Sequence, residues 1–258
     1  MPSEPLNGID LYYEVHGEGA PVVFLHGAGG NHISWWQQIP VFSRRYRCVT
    51  LDHRGFGAST DPQKEGAARF ADDLEALLDR LAIERTALVA QSMGGRTASE
   101  LVLRHPDRVW ALVMCDTLGV LVWEELQEPR AELREQRLAA AGEGGLLLRG
   151  FMAPGFIESE AAMTFLYAQV QGLNPPRERR QLAAPSSLSK EAVAGLSVPT
   201  LFIVGTEDPV VAPEIVRRVQ HVIPGARYRE FEGAGHSVYW EQPAEFNAVL
   251  AEFLAKNA

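Results

Sequence analysis

Residues 86–95 read Thr-Ala-Leu-Val-Ala-Gln-Ser-Met-Gly-Gly, and the meaning of Ser92 inside them decides how the rest of the chain is read. Thr86, Ala87, Leu88 and Val89 form a short apolar run with strand character, which stops at Ala90-Gln91-Ser92-Met93-Gly94-Gly95. An amphipathic helical pattern follows at once. A small-x-Ser-x-Gly turn between a strand and a helix strains the serine backbone, and only small residues at 90 and 94 let the two elements approach. The turn lifts the hydroxyl clear of the backbone at the mouth of a helix N-terminus, where N–H groups and the helix dipole favour negative charge. A serine before a helix also has an ordinary use, as its N-cap. The remainder of the chain separates the two readings.

Three more polar turns each follow an apolar run. Val22, Val23, Phe24 and Leu25 stop at His26-Gly27-Ala28-Gly29-Gly30. Leu201, Phe202, Ile203 and Val204 lead into Gly205-Thr206-Glu207-Asp208-Pro209, and Tyr228 to Phe231 lead to Gly233-Ala234-Gly235-His236. Every polar candidate thus sits just past the carboxyl end of an expected strand, the edge where open parallel sheets bind ligands. Helical stripes lie between the strands: Phe70, Leu74, Leu77, Leu78 and Leu81; Ile215, Val216, Val219 and Val222; and Phe246, Val249, Leu250, Phe253 and Leu254. Alternating strands and such helices predict an α/β fold with a mostly parallel, doubly wound sheet covered on both faces. Gly8 to His16 alternates well enough for an antiparallel edge strand.

The order Ser92, Asp208, His236 together with the strained serine turn resembles the serine-nucleophile branch of the α/β-hydrolase superfamily. The resemblance covers nearly the whole chain. Leu51-Asp52-His53-Arg54-Gly55-Phe56-Gly57-Ala58-Ser59 is similar to the D-x-R-G-x-G-x-S turn after the fourth strand in that superfamily's lipase, esterase and C–C hydrolase branches. His26-Gly27 resembles its oxyanion-loop signature, Gly205 to Asp208 its acid loop, and Gly235-His236 its histidine loop. One departure is Ala90, where the family's turn carries glycine; the steric requirement is smallness, which alanine meets.

The resemblance implies a Ser92–His236–Asp208 triad. A serine hydroxyl is a poor nucleophile until a base takes its proton. An imidazole titrating near neutrality suits that task, and a carboxylate on its other nitrogen fixes the tautomer. The oxyanion donors expected are the backbone N–H groups of Met93 and Ala28. Asp116, after the sixth strand, is the rival for the acid. His26 is expected to brace the oxyanion loop, and Arg54 to tie the turn after the fourth strand to its neighbours. Asp61 and the run Arg177 to Arg180 read as solvated surface. Candidate pocket residues are Gly27, Gly29, Trp35, Trp36, Gln91, Phe151, Phe165 and Trp240. No metal and no cofactor are implied, since no Cys/His cluster has ligand spacing.

Between Leu118 and Lys190 the rhythm changes to helical stretches punctuated by Gly142-Glu143-Gly144-Gly145 and Pro175-Pro176. The resemblance places a helical cap there, inserted after the sixth strand. The expected organisation is therefore a core of residues 1–117 and 191–258 and a cap of residues 118–190. Phe151, Met152, Phe156, Phe165, Leu166 and Tyr167 give that segment more apolar surface than a solvated hairpin carries, which suits a pocket that excludes water.

Composition fits an enzyme of this class. The chain has 258 residues, 46% of them hydrophobic, enough for one large core. A net charge of −9 gives no attraction for nucleic acid or acidic membranes, and neither partner is expected. The first residues lack a basic stretch followed by an apolar one, so no signal peptide is expected. No apolar run approaches the ~20 residues of a membrane span. Cys48 and Cys115 fall in expected strands and read as small buried hydrophobes rather than a disulfide, which predicts a reduced, cytoplasmic protein.

The resemblance leaves several reactions open. Serine at position 92 argues against the haloalkane dehalogenase and epoxide hydrolase branches, which use aspartate there. The C–C hydrolases of meta-cleavage products usually carry tryptophan directly after the catalytic histidine, whereas this chain has Ser237, with Trp240 three residues later. Hydrolysis of small to medium, largely apolar carboxylic esters or lactones through an acyl-enzyme is the leading expectation. The alternatives are C–C bond hydrolysis, cofactor-free perhydrolase activity, and a hydrolase-fold ligand receptor with slow turnover. The substrate expected is a small-molecule ester or lactone.

Overall fold

The computed structural model describes residues 3–140, 152–176 and 188–258. Phe151, the Gly142–Gly145 stretch and Arg177 to Arg180 lie outside the described residues.

Eight strands form one sheet: β1 (Ser3–Leu6), β2 (Ile9–His16), β3 (Ala20–Leu25), β4 (Tyr46–Leu51), β5 (Thr86–Gln91), β6 (Val109–Cys115), β7 (Thr200–Gly205) and β8 (Arg227–Phe231). Their spatial order is β1-β2-β4-β3-β5-β6-β7-β8. β1 and β2 pair antiparallel, as do β2 and β4, and every later pairing is parallel. The outermost strand is β1, so Ile9–His16 is not the edge expected for Gly8 to His16. Asn7-Gly8 turns the chain back with φ of 50° and 77°. Two positive-φ residues are what a tight hairpin compatible with strand twist requires, and Asn-Gly is its strongest local signal.

The two side-chain faces of the sheet build two cores. Val23, Leu25, Val49, Leu51, Leu88, Ala90, Leu112, Met114, Phe202 and Val204 point to one face. There they meet Leu74, Leu77 and Leu78 of helix Phe70–Arg80, Ala98, Leu101 and Val102 of Gly94–Arg104, and Ile215, Val216 and Val219 of Pro213–Val222. Val22, Phe24, Cys48, Ala87, Val89, Val113, Cys115, Leu201 and Ile203 point to the other face. They pack on Trp35 and on Phe246, Leu250, Phe253 and Leu254 of Pro243–Asn257. This two-residue alternation under continuous burial explains why the strands read as unbroken apolar runs. Truncating one of these fully buried leucines, such as Leu88, should cost roughly 2–5 kcal/mol. Cys48 and Cys115 are both free thiols inside the second core.

β3 lies between β4 and β5, and the chain leaves it over opposite faces. The His32–Trp35 turn between β3 and β4 joins the second core, and helix Phe70–Arg80 between β4 and β5 joins the first. The strand order therefore reverses at β3 and β5, opening a crevice at their carboxyl ends. Among the described residues no helix is long and apolar enough to cross a membrane.

Candidate active site

Ser92 sits at this crevice, immediately after β5, with φ of +49°. Its backbone N–H donates to Cys115 O at the end of β6 at 3.0 Å, anchoring the turn. Close approach is essential here: a Cβ on Gly94 would lie 2.4 Å from Leu25 O, so only glycine lets the Gly94–Arg104 helix begin against β3. Ala90, where the family's turn has glycine, is fully buried in the first core.

Asp208 lies on the loop after β7 and His236 on the loop after β8, and the sheet brings both to Ser92. His236 Nδ1 is 2.8 Å from Asp208 Oδ2, and His236 Nε2 is 2.8 Å from Ser92 Oγ. A carboxylate can only accept, so Nδ1 carries the proton and Nε2 is left to accept from the Ser92 hydroxyl. Asp208 Oδ1 accepts from the Val210 and Val211 N–H groups at 2.7 and 2.9 Å, which fixes the carboxylate plane. Burial alone would lower the His236 pKa, but the charge of Asp208 and the hydrogen bond to it outweigh that and raise it above the usual imidazole value. The imidazole and the carboxylate are almost wholly shielded, while Ser92 is half-buried.

The turn after β3 lies over the serine. A Cβ on Gly27 would fall 1.9 Å from Gln91 Oε1 and 3.1 Å from Ser92 Cβ. His26 holds this turn: its Nδ1–H donates to Gly27 O at 2.8 Å, and its Nε2 accepts from the His53 N–H at 3.0 Å. Ala28, next to Gly27, and Met93, next to Ser92, are half-buried, Met93 at the first turn of a helix, where N–H groups lack intrahelical acceptors. Gln91 is buried and donates from Nε2 to His236 O at 2.7 Å, so it ties the histidine loop rather than facing an open pocket.

Several expectations are corrected. Trp35 is completely buried, packed 5.3 Å from Phe24 and 4.5 Å from Tyr239 between centroids, as part of the second core. Phe165 is 66% exposed on the outer side of helix Ala161–Gly172, because Thr164, Tyr167 and Val170 take that helix's inner face. Trp36 is partly exposed and meets the buried Trp240 edge-on at 6.0 Å, and Trp240 Nε1 donates to Met163 O. Gly29 lies beneath the same helix, where a Cβ would meet the Gln171 amide at 2.8 Å. Asp61 is not solvated surface: its side chain is 7% exposed and accepts from the Glu65 and Gly66 N–H groups. Arg54 is buried, bidentate to Asp73 at 2.6 and 2.7 Å, and 2.7 Å from Glu65.

Asp116, the rival acid, is fully buried with φ of +53° and accepts from the Gly205 and Val238 N–H groups. Burial first, and then the charge of Asp208, push its carboxyl well above the ordinary range. Tyr167, one of the apolar residues singled out in the insertion, stacks edge-on with Trp240 at 5.0 Å, and its hydroxyl is 3.1 Å from Ser237 Oγ, next to His236. Asn31 and Asn174 escaped sequence reasoning. Asn31 donates to Val170 O, while Asn174 donates to Gly30 O and accepts from the Gly57 N–H. These contacts fasten the Ala161–Gly172 helix and the residues after it across the β3 and β4 turns, and no local pattern announces them. Among the described residues no group of three or more His, Cys, Asp or Glu side chains could hold a metal ion.

A family model of the alpha/beta hydrolase fold matches residues 20–142 and 156–243. The chain belongs to the α/β hydrolase-fold family. A Mycobacterium tuberculosis protein named non-heme bromoperoxidase BpoC, an activity assigned to it provisionally, is 30% identical over 257 residues, 96% of this chain and 98% of its own. The crystal structure of the enol-lactonase from Burkholderia xenovorans LB400 superposes with a TM-score of 0.80 at 27% identity, over 98% of this chain and 100% of that one. A thermophilic esterase from Thermogutta terrifontis gives 0.81 at 27% identity, over 98% and 96%. This α/β hydrolase thus shares nearly its full length with relatives whose names span different reactions.

Proposed function

We propose that the protein hydrolyses small to medium, largely apolar carboxylic esters or lactones through an acyl-enzyme, with Ser92 as nucleophile, His236 as base and Asp208 as acid. The observation that carries this reading is the unbroken Asp208–His236–Ser92 hydrogen-bond chain ending on a serine held at φ +49°. His236 Nε2 takes the Ser92 proton as Oγ attacks the carbonyl carbon. The oxyanion that forms is stabilised by the Met93 and Ala28 N–H groups, each worth roughly 10²–10³ in rate. Collapse releases the alcohol, which receives its proton from His236. For a lactone, the alcohol stays on the acyl group. Water then attacks the acyl-enzyme with His236 again as base, and Ser92 leaves.

Residues 118–190 act as the cap in this reading. Its support is that helix Ala161–Gly172 meets the turn after β3 at Asn31 and Ser237 through Tyr167, while Asn174 just beyond it meets the turn after β4. Aromatic side chains such as Trp240 and Tyr167, packed beside the histidine loop, favour uncharged acyl or ring substrates. The test is turnover of p-nitrophenyl esters and simple lactones by the wild type and by Ser92→Ala. The wild type should turn over, and a fluorophosphonate should label Ser92 alone. Undiminished turnover by Ser92→Ala overturns the serine mechanism.

A further inference from the structure

Glu241 takes no part in the relay, yet its carboxylate is built into the loop that bears His236. It ends the short helix Val238–Glu241 and is 8% exposed. Oε2 accepts from the Gly235 N–H at 2.9 Å and from the Ala153 N–H at 2.9 Å, and Oε1 accepts from the Ser237 N–H at 3.2 Å. Gly235 and Ser237 are the two neighbours of His236. Ala153 belongs to the insertion, ahead of the helix Pro154–Ser159.

A second observation shows that this contact is tight. A Cβ on Gly235 would lie 2.4 Å from Ala153 N and 2.5 Å from Met152 C, so backbone rests directly on backbone. Met152 and Ala153 are 1% and 0% exposed. Burying a carboxyl is costly and pushes Glu241 up to about 7, and among the described residues the backbone N–H groups of Ala153, Gly235 and Ser237 offset that burial.

We infer that Glu241 is a positioning residue: one carboxylate holds the N–H groups on both sides of His236 and that of Ala153, so the placement of the imidazole against Ser92 is coupled to the seating of the 152–159 segment. The inference rests on the proposed role of His236 as base. Its consequence is steep, because a misplacement of about 1 Å in a reacting group can cost ~10²-fold in rate.

Three variants separate reach from charge. Glu241→Ala removes the clamp. Glu241→Asp keeps the charge but falls short by one methylene. Glu241→Gln keeps the reach: its oxygen can serve Gly235 and Ala153, while its NH2 faces the Ser237 N–H and forfeits that bond. Each is assayed on p-nitrophenyl butyrate, with active sites counted by fluorophosphonate titration, and by amide hydrogen exchange in the full-length protein. Glu241→Ala and Glu241→Asp should lower kcat per titrated site by roughly 10–100-fold, with KM changed far less. The Gly235, Ser237 and Ala153 amides should lose protection together, while the Gly205 and Val238 amides, held by Asp116, keep theirs. Glu241→Gln should expose only Ser237 and lose less activity. Glu241→Ala with a lowered Tm but kcat per site within twofold of wild type overturns the inference, as does independent exchange of Ala153 and Gly235. If the wild type hydrolyses no ester or lactone, the functional reading fails by itself, and the exchange pattern still decides whether the clamp exists.

Discussion

Asp208→Asn tests the direction of the relay, and the structure predicts which way the new amide must face. Asp208 Oδ1 already accepts two backbone N–H groups, and Oδ2 accepts from His236 Nδ1. Asparagine has one oxygen to share between these sides. With its NH2 toward Val210 and Val211, two backbone donors would lose their acceptor, at about 1–3 kcal/mol for the buried Val211 and less for the half-buried Val210. The oxygen therefore stays with the backbone, and the NH2 confronts His236 Nδ1. His236 then carries its proton on Nε2, facing Ser92, where it can no longer accept the hydroxyl proton. The same tautomer reversal in serine proteases costs ~10⁴ in kcat, or about 5.4 kcal/mol at 1.36 per decade.

Asp116→Asn leaves the relay intact, and less than a tenfold loss is expected. Its signature is in stability. A carboxyl whose folded pKa is raised contributes stability below its unfolded pKa of ~3.9, and that contribution is lost as pH climbs toward the folded value. The wild type should therefore lose Tm relative to Asp116→Asn as pH rises out of the ordinary carboxylate range. The assay is kcat/KM on p-nitrophenyl butyrate for both variants, normalised to titratable Ser92, with thermal melts across pH. If Asp116→Asn is the more crippled enzyme, or if Asp208→Asn stays within tenfold of wild type, the acid has been misassigned.

Other outcomes follow from the same geometry. Because Asp208 raises the His236 pKa against the effect of burial, and a protonated imidazole cannot take the serine proton, kcat/KM should fall as pH drops through a midpoint above ~6.5; a flat profile from acid to neutral pH means another group transfers the proton. Across p-nitrophenyl acetate, butyrate, octanoate and palmitate, kcat/KM should peak between acetate and octanoate, since each buried methylene contributes about 0.8 kcal/mol until a closed pocket is full; a maximum at palmitate refutes the cap. Arg54→Met should destabilise the fold by roughly 3–5 kcal/mol in urea melts by leaving Asp73 buried without its cation, with kcat per titrated site unchanged; a stable variant shows that the pair is dispensable.

The relay was legible because each of its parts is a local event. A strand that must be buried on both faces reads as an apolar run, and a turn that must be tight reads as small residues. Ser92, His26-Gly27, Asp208 and His236 each stand where such a run meets such a turn. The parallel sheet then collects the carboxyl ends without further instruction. The β1 strand was missed although Asn7-Gly8 announces it, because Ser3–Leu6 is short and half-exposed and carries no apolar alternation.

The walls of the site were not legible, for a different reason. Aromatic residues near a reactive turn serve equally well as core or as lining, and the choice depends on which helix face meets the sheet. Trp35 went to the core because the His32–Trp35 turn aims it at Phe24 and Tyr239, and Phe165 went to solvent because Tyr167 and Val170, two and five residues on, took the inner face. Polar contacts across the insertion are harder still to foresee. Tyr167 to Ser237, Asn174 to Gly57 and Ala153 to Glu241 each join positions more than 60 residues apart by |i−j| of 70, 117 and 88. Such pairs leave no periodicity in either partner. They fasten the described part of the insertion to the turns after β3 and β4 and to the histidine loop, so under the proposed function the reaction is written in the strand ends and the choice of substrate in the long-range polar contacts.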